Sequence, residues 1–119
     1  MENKPNTEPN IEELKSKIGF GIKYWLKFEN ESILGSGWAK LLECIEKSEN
    51  GSLTQAAKDC GYSYKYAWNI LKRIEKRTGM NPVITGKGGS GGGGWVKLNE
   101  WGKFLLKKFI GLRKKFADF

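Results

Sequence analysis

With 119 residues, 39% of them hydrophobic and 13% aromatic, the chain has material for one domain around one modest core. Its formal net charge of +8 is unevenly spread: residues 1–19 hold three Lys against four Glu, residues 20–51 four Lys against five Glu, and residues 52–119 fourteen Lys or Arg against four acids. No apolar run approaches the roughly 18 residues of a membrane span, the polar start MENKPNTEPN is no signal peptide, and the chain has no His, which argues against membrane insertion, secretion and His-based metal or acid–base chemistry.

Residues 1–10 hold two of the three prolines among Asn, Lys and Glu and read as a disordered tail. Residues 11–18 have the pattern of a short helix, so residues 1–19 form a flexible N-terminal segment. From residue 20 to 28 the pattern alternates: Ile22, Tyr24, Leu26 and Phe28 share one side, and Lys23, Trp25 and Lys27 the other. That is the period of a half-buried strand. Glu29-Asn30-Glu31 makes a turn and Ser32-Ile33-Leu34 returns, giving an N-terminal β-hairpin. A helix is predicted over residues 38–48, with Trp38, Leu41, Leu42 and Ile45 at helical spacing.

Ser52 is placed to cap a next helix whose core face is Leu53, Ala56, Ala57 and Cys60. The paired alanines suit two helices crossing closely. Gly61 supplies a left-handed turn, and Ser63 caps a second helix that runs to residue 77 with Ala67, Ile70, Leu71 and Ile74 as its buried stripe. Pro82 excludes further helix. Val83-Ile84-Thr85 and Trp95-Val96-Lys97-Leu98 then read as two strands around a loop of nine residues, 86–94, seven of them Gly. Asn99 caps a final helix over residues 100–117, where Trp101, Leu105, Phe109, Leu112 and Phe116 recur at intervals of four, four, three and four. That stripe, widened by Phe104, Leu106 and Ile110, exceeds what a terminal helix on a small domain needs. A dimer seam and docking on its own domain are the two readings, and the seam is preferred.

The order of elements is that of a mainly α protein with small β content: a winged helix-turn-helix over residues 20–98, its wing at 82–98, followed by a C-terminal dimerisation helix over 99–119. This unit places one helix in the DNA major groove. The basic excess of residues 52–119 fits a polyanionic partner, double-stranded DNA. On the second helix of the motif, Tyr64, Lys65 and Asn69 occupy the first turns, where base edges are reached, and Lys72 and Arg73, with Lys76, suit phosphate contacts. Trp68 borders the buried stripe and fits either core cover or DNA contact. Ser52, Thr54 and Ser63 stand at helix starts, where amides and hydroxyls can meet phosphate, and capping alone is the other reading for Ser52. Lys87, with bare glycine backbone after it, can approach phosphate or a minor groove, assisted by Lys97. The two cysteines, Cys44 and Cys60, have no metal-ligand spacing and read as small buried side chains, with a disulfide between them left open. No catalytic residue, cofactor or metal is expected: there is no nucleophile with a base and no acid cluster.

GSLTQAAKDCGYSYKYAW, the GKGGSGGGGW loop and LNEWGKFL together resemble the DNA-binding half of the molybdate-responsive (ModE) regulators. KYWLKFENESILGSGWAKLLECI is similar to the opening of archaeal and related members, and the likeness covers about residues 20–116. It implies a winged-helix DNA binder that dimerises partly through its last helix and sits on palindromic promoter sites. Members that sense molybdate carry further small β-domains after this half, whereas the chain ends at Phe119. The resemblance is therefore to a stand-alone form, and molybdate is not expected as a ligand. The expected function is sequence-specific DNA binding by a cytoplasmic, nucleoid-associated homodimer that regulates transcription. The alternative is an architectural or chromatin protein that binds DNA with little sequence preference.

Overall fold

A computed structural model describes residues 8–87 and 94–117. The expected tail residues 1–7 and the wing tip at residues 88–93 lie outside these. The described residues form five helices and two small antiparallel hairpins: α1 (Ile11–Lys15), β1 (Leu26–Phe28), β2 (Glu31–Leu34), α2 (Ser36–Lys47), α3 (Leu53–Cys60), α4 (Tyr64–Thr78), β3 (Val83–Gly86), β4 (Trp95–Leu98) and α5 (Glu100–Lys115). The chain is mainly helical.

Local chemistry sets most of these boundaries. Asn10, Ser52, Ser63 and Asn99 each accept an amide hydrogen bond from the first turn of the helix they precede. Such a side chain satisfies one of the orphan donors that every helix start carries. Gly61 ends α3 at φ +79°, in the left-handed region, and its turn brings α4 across α3. Ala56, Ala57 and Ala67 are buried where these two helices meet, so no side chain holds the backbones apart.

The core joins β2, α2, α3, α4, β4 and α5, with Leu34, Leu41, Leu42, Ile70, Leu71, Ile74 and Phe109 fully buried. No polar or charged side chain is buried among the described residues. Cys44 and Cys60 are free thiols with sulphurs 3.0 Å apart across the α2–α3 contact. Burial, then the neighbouring Cys44, pushes the Cys60 thiol up to about 12, which favours its protonated form.

Two regions differ from the sequence expectation. The strand expected over residues 20–28 is only Leu26–Phe28, because β2 offers just Glu31–Leu34 before α2 begins and Leu26 already pairs with Leu34. The alternation of faces nevertheless persists from Tyr24 to Phe28, whereas Ile22 is exposed. α2 starts at Ser36, earlier than expected, after Gly35 as an extended N-cap.

The final helix is anchored at both ends. Near its start, Asn99 Nδ2 donates to the Asn81 carbonyl oxygen (2.7 Å) and Trp101 Nε1 to Thr78 Oγ1 (3.3 Å). A Cβ at Gly102 would collide with the Pro82 carbonyl, so glycine there permits close approach. Near its end, Arg113 makes a two-pronged contact with Glu43 of α2 at 3.0 and 3.1 Å. That bond, with Coulomb attraction, outweighs the burial that opposes it and holds the Glu43 carboxyl below its usual range. Leu105 and Phe109, assigned from sequence to a dimer seam, are 2% and 0% exposed and belong to the chain's own core. Tyr24 covers this end of the helix, its ring 5.4 Å from Phe109 and 5.6 Å from Phe116. Trp101, Leu112 and Phe116 keep part of their surface.

Candidate nucleic-acid interface

α4 divides into three strips. Ala67, Ile70, Leu71 and Ile74 face the core. Opposite them Lys65, Asn69, Lys72 and Lys76 are all exposed and follow one another at intervals of four, three and four, which places them on one line along the helix. No carboxylate interrupts that line. Glu75 sits to one side, where its carboxylate accepts a bond from Asn81 Nδ2 at 3.2 Å.

On one shoulder stand Tyr64 and Trp68, edge to face with ring centroids 6.3 Å apart. Trp68 is half-buried against the core, and Tyr64 is exposed. They line a cleft of about 320 Å³ whose other walls are Ser52, Leu53, Thr54, Gly94 and Val96. The sequence named Ser52, Thr54, Tyr64 and Trp68 as separate candidates; the structure brings all four around this one depression. Ser52 Oγ caps α3 by accepting from the Gln55 amide at 3.0 Å, and Thr54 is exposed in the first turn. The remaining first-turn amides of α3 have no acceptor within the helix, which gives this mouth a partial positive charge. Ser63 Oγ likewise accepts from the Tyr66 amide at 3.0 Å and leaves its hydroxyl proton to donate outward.

The β3–β4 hairpin is held beside this cleft by a contact that no local pattern announces. Gly51, at φ +66°, turns its carbonyl to accept a 2.8 Å bond from the Val96 amide. A Cβ there would press on Trp95 and on the Val96 carbonyl at 3.2 Å, so both backbone conformation and space call for glycine. Trp95 lies across the hairpin over Gly86, and Lys97 Nζ stands 5.6 Å from the Trp95 ring centroid. Lys87 is exposed where the hairpin leaves the body.

The other shoulder is used for support. Tyr62 donates its hydroxyl to the Gly37 carbonyl at 2.8 Å and packs edge-on with Tyr66 at 5.0 Å. Arg77 donates to the Ser32 carbonyl at 2.6 Å and lies over the Trp38 ring, clamping the first hairpin to α4. Arg73 is exposed and lines a shallow hollow with Glu31, Lys76 and Arg77, which turns it towards this side of the line. Among the described residues no three His, Cys, Asp or Glu side chains gather as metal ligands, and no helix is long and apolar enough to cross a membrane.

No protein-family model matches the chain. The chain is 38% identical over 60 residues to the DNA-binding transcriptional dual regulator ModE of Escherichia coli strain K12, which covers 50% of this chain and 22% of that protein. The transcriptional regulator ModE of Shigella flexneri aligns to the same extent. The molybdenum transport protein ModE of Herbaspirillum seropedicae is 41% identical over 79 residues, 66% of this chain and 28% of that protein. The aligned part thus spans about a quarter of the length of the curated relatives it matches. The Escherichia and Shigella relatives are transcription regulators, not enzymes. Over half of its length or more, the chain is homologous to these proteins and carries a ModE-like region.

Proposed function

We propose that this chain is a winged helix-turn-helix protein that binds double-stranded DNA with sequence preference, as a homodimer on palindromic sites, and regulates transcription from the cytoplasm. The observation that carries this reading is the unbroken line Lys65, Asn69, Lys72, Lys76 on α4, opposite its core stripe and next to the cleft where two helix starts and the wing base converge. Relatives that include a DNA-binding transcriptional regulator support it.

With α4 in the major groove, Tyr64, Lys65 and Asn69 at its N-terminal turns meet base edges. Asn69 has the donor and acceptor pair that matches adenine, and Lys65 reaches guanine acceptors. Lys72, Arg73 and Lys76 neutralise flanking phosphates and set the register of the helix. Ser52, Thr54 and Ser63 present hydroxyls and first-turn amides to the phosphate backbone, with Trp68 and Tyr64 walling the cleft. Lys87 carries the wing to the adjacent groove. Part of the Leu112 and Phe116 surface remains for a mate.

A second reading draws on the exposed lysines of α5, Lys103, Lys107, Lys108, Lys114 and Lys115, which lie off the α4 line and suit broad attraction to DNA. Selection of bound sequences from a random duplex library, followed by competition at physiological salt, separates the two. A recovered palindromic consensus supports the regulator, and equal binding of every duplex supports the architectural protein.

A further inference from the structure

The N-terminal arm exposes apolar residues beside three acids and two lysines, Lys15 and Lys17, and the outward face of α5 exposes apolar residues among lysines alone. α1 buries none of its residues. Ile11 and Leu14 lie three apart on α1, Ile18 and Phe20 follow beyond its end, and Ile11, Leu14, Ile18 and Phe20 are 67%, 45%, 79% and 78% exposed. Glu8, Glu12 and Glu13 flank these residues, with Glu12 also paired to Lys15 at 3.1 Å. The molecule measures 71 × 33 × 24 Å, with a radius of gyration of 20.7 Å. A compact chain of this length has a radius of gyration of about 14 Å. Residues 8–23 are exposed throughout, their apolar side chains included.

On α5 a groove of about 510 Å³ has an apolar floor of Leu26, Phe104 and Leu112 and a rim of Lys107, Lys108 and Lys115. Phe104 is 53% exposed and is held in place by stacking on Trp101, 5.9 Å away. Among these lining residues there is no acid. Pairing this face with the same face of a second copy would set the lysine rims of the two copies against each other, which is costly. The chain meets the body at Tyr24, packed on Phe109, and Leu26 two residues later belongs to the groove floor.

We infer that two copies exchange arms: the residue 8–20 arm of each chain lies in the α5 groove of the other. Ile11, Leu14 and Ile18 cover Leu26, Phe104 and Leu112, and Glu8, Glu12 and Glu13 meet Lys107, Lys108 and Lys115. The contact is isologous, each chain giving an arm and a groove, so it closes at two copies. It rests on the dimer proposed above and names what joins it.

The test is sedimentation velocity of the full chain without DNA over a concentration series, which reports both association and shape, so that the exchange, the dimer and DNA binding fail separately. The wild-type protein is expected to dimerise at tens of micromolar. Ile11→Ser, Leu14→Ser and Ile18→Ser together, at positions exposed in the single chain, raise the dimer dissociation constant by about a hundredfold or more, while the thermal midpoint measured at concentrations where both proteins are monomers stays in place. Glu12→Lys with Glu13→Lys weakens the dimer, and adding Lys107→Glu with Lys108→Glu to the same chain restores it. A dimer untouched by the three serines, or a charge swap without rescue, overturns the exchange and leaves the dimer to another surface. A wild-type monomer overturns both. Serines that alter the frictional ratio of a monomer at all concentrations assign the groove to the chain's own arm and overturn the exchange.

Discussion

Helices α4 and α5 have fifteen and sixteen residues, each buries four residues on one side, and each is rich in cations. Their outward faces differ in what lies between those cations. On α4 the line Lys65, Asn69, Lys72, Lys76 is polar from end to end, with Tyr64 and Trp68 confined to a shoulder. On α5, Phe104 and Leu112 sit among Lys107, Lys108 and Lys115. A polyanion offers little apolar surface to cover a Phe, whereas an amphipathic acidic segment covers it and pairs the lysines too. Under the proposed division, the side chains between the cations, rather than their number, set the DNA face apart. The +10 excess of residues 52–119 spans both helices and does not by itself divide them.

The largest effect that tests this division is ionic. If a dimer neutralises about six to ten phosphates, log K for duplex falls with log salt at a slope of about −5 to −9. Affinity then drops by about 10³–10⁵-fold between 50 and 200 mM salt. Dimerisation through the α5 groove also weakens with salt through its Glu–Lys pairs, but releases no condensed counterions and should change less over that range. Duplex affinity measured by fluorescence anisotropy across the series decides it: a slope near zero removes DNA as the partner of α4, and equal slopes for DNA and dimer erase the contrast between the helices.

Next in size is the cost of treating a core residue of α5 as a surface one. Phe109→Ala should lose about 3–5 kcal/mol of stability, since it empties a fully buried site between α2, α5 and Tyr24. Leu112→Ala, at a half-buried site on the groove floor, should cost about 1 kcal/mol and act mainly on assembly. Urea unfolding of both variants at one protein concentration provides the check. A Phe109→Ala loss below 1 kcal/mol would mean that the stripe is an interface after all.

How far the sequence reached follows from which interactions are local. The caps Ser52, Ser63 and Asn99, the turn at Gly61 and the buried stripe of α4 are written within a few residues of where they act, and the structure has them as read. The strand over residues 20–25 failed because pairing depends on the length of a partner that α2 cuts short. The periodicity of α5 told correctly that one side is apolar, yet could not say that Leu105 and Phe109 meet their own chain, since Tyr24 and Glu43 approach from far upstream. For the site, the exposure of Tyr64, Lys65, Asn69, Lys72 and Arg73 was legible from their place relative to the stripe, whereas Trp68, which the sequence left between two readings, is half-buried. The cleft that unites Ser52 and Thr54 with Tyr64 and Trp68 was not, because the Gly51–Val96 bond that closes it spans 45 residues.

Within α4, the division between reading and positioning gives a smaller effect. Asn69→Ala and Lys65→Ala should each lose about 1–3 kcal/mol on the preferred site and relax its consensus. Lys72→Ala should weaken all duplexes alike and flatten the salt slope by about one. Binding to a panel of single-base variants separates them, and an unchanged consensus for Asn69→Ala would mean that α4 enters the groove in another orientation.

The smallest expected effect concerns the latch that fixes α5 against α2. Arg113 grips the Glu43 carboxylate through two hydrogen bonds and holds its pKa below the usual value of 4.5. A carboxylate whose folded pKa is depressed adds stability above its unfolded pKa and loses it as pH falls through the folded value. Arg113→Met keeps the stem over the Phe109 ring, where the guanidinium carbon now stands 5.7 Å from the centroid, and removes the charge. Because the Arg113 side chain is 42% exposed, solvent screens the pair, and the loss at pH 7 should be about 0.5–1 kcal/mol. The gap between wild type and variant should narrow as pH drops below about 4.5 and close once Glu43 is protonated in both. Unfolding curves between pH 7 and pH 3 measure it. A gap that stays constant over that range would assign the contribution of Arg113 to its packing on Phe109 rather than to its charge, and the end of α5 would then be held on the body by apolar contact while its start keeps the Asn99 and Trp101 hydrogen bonds.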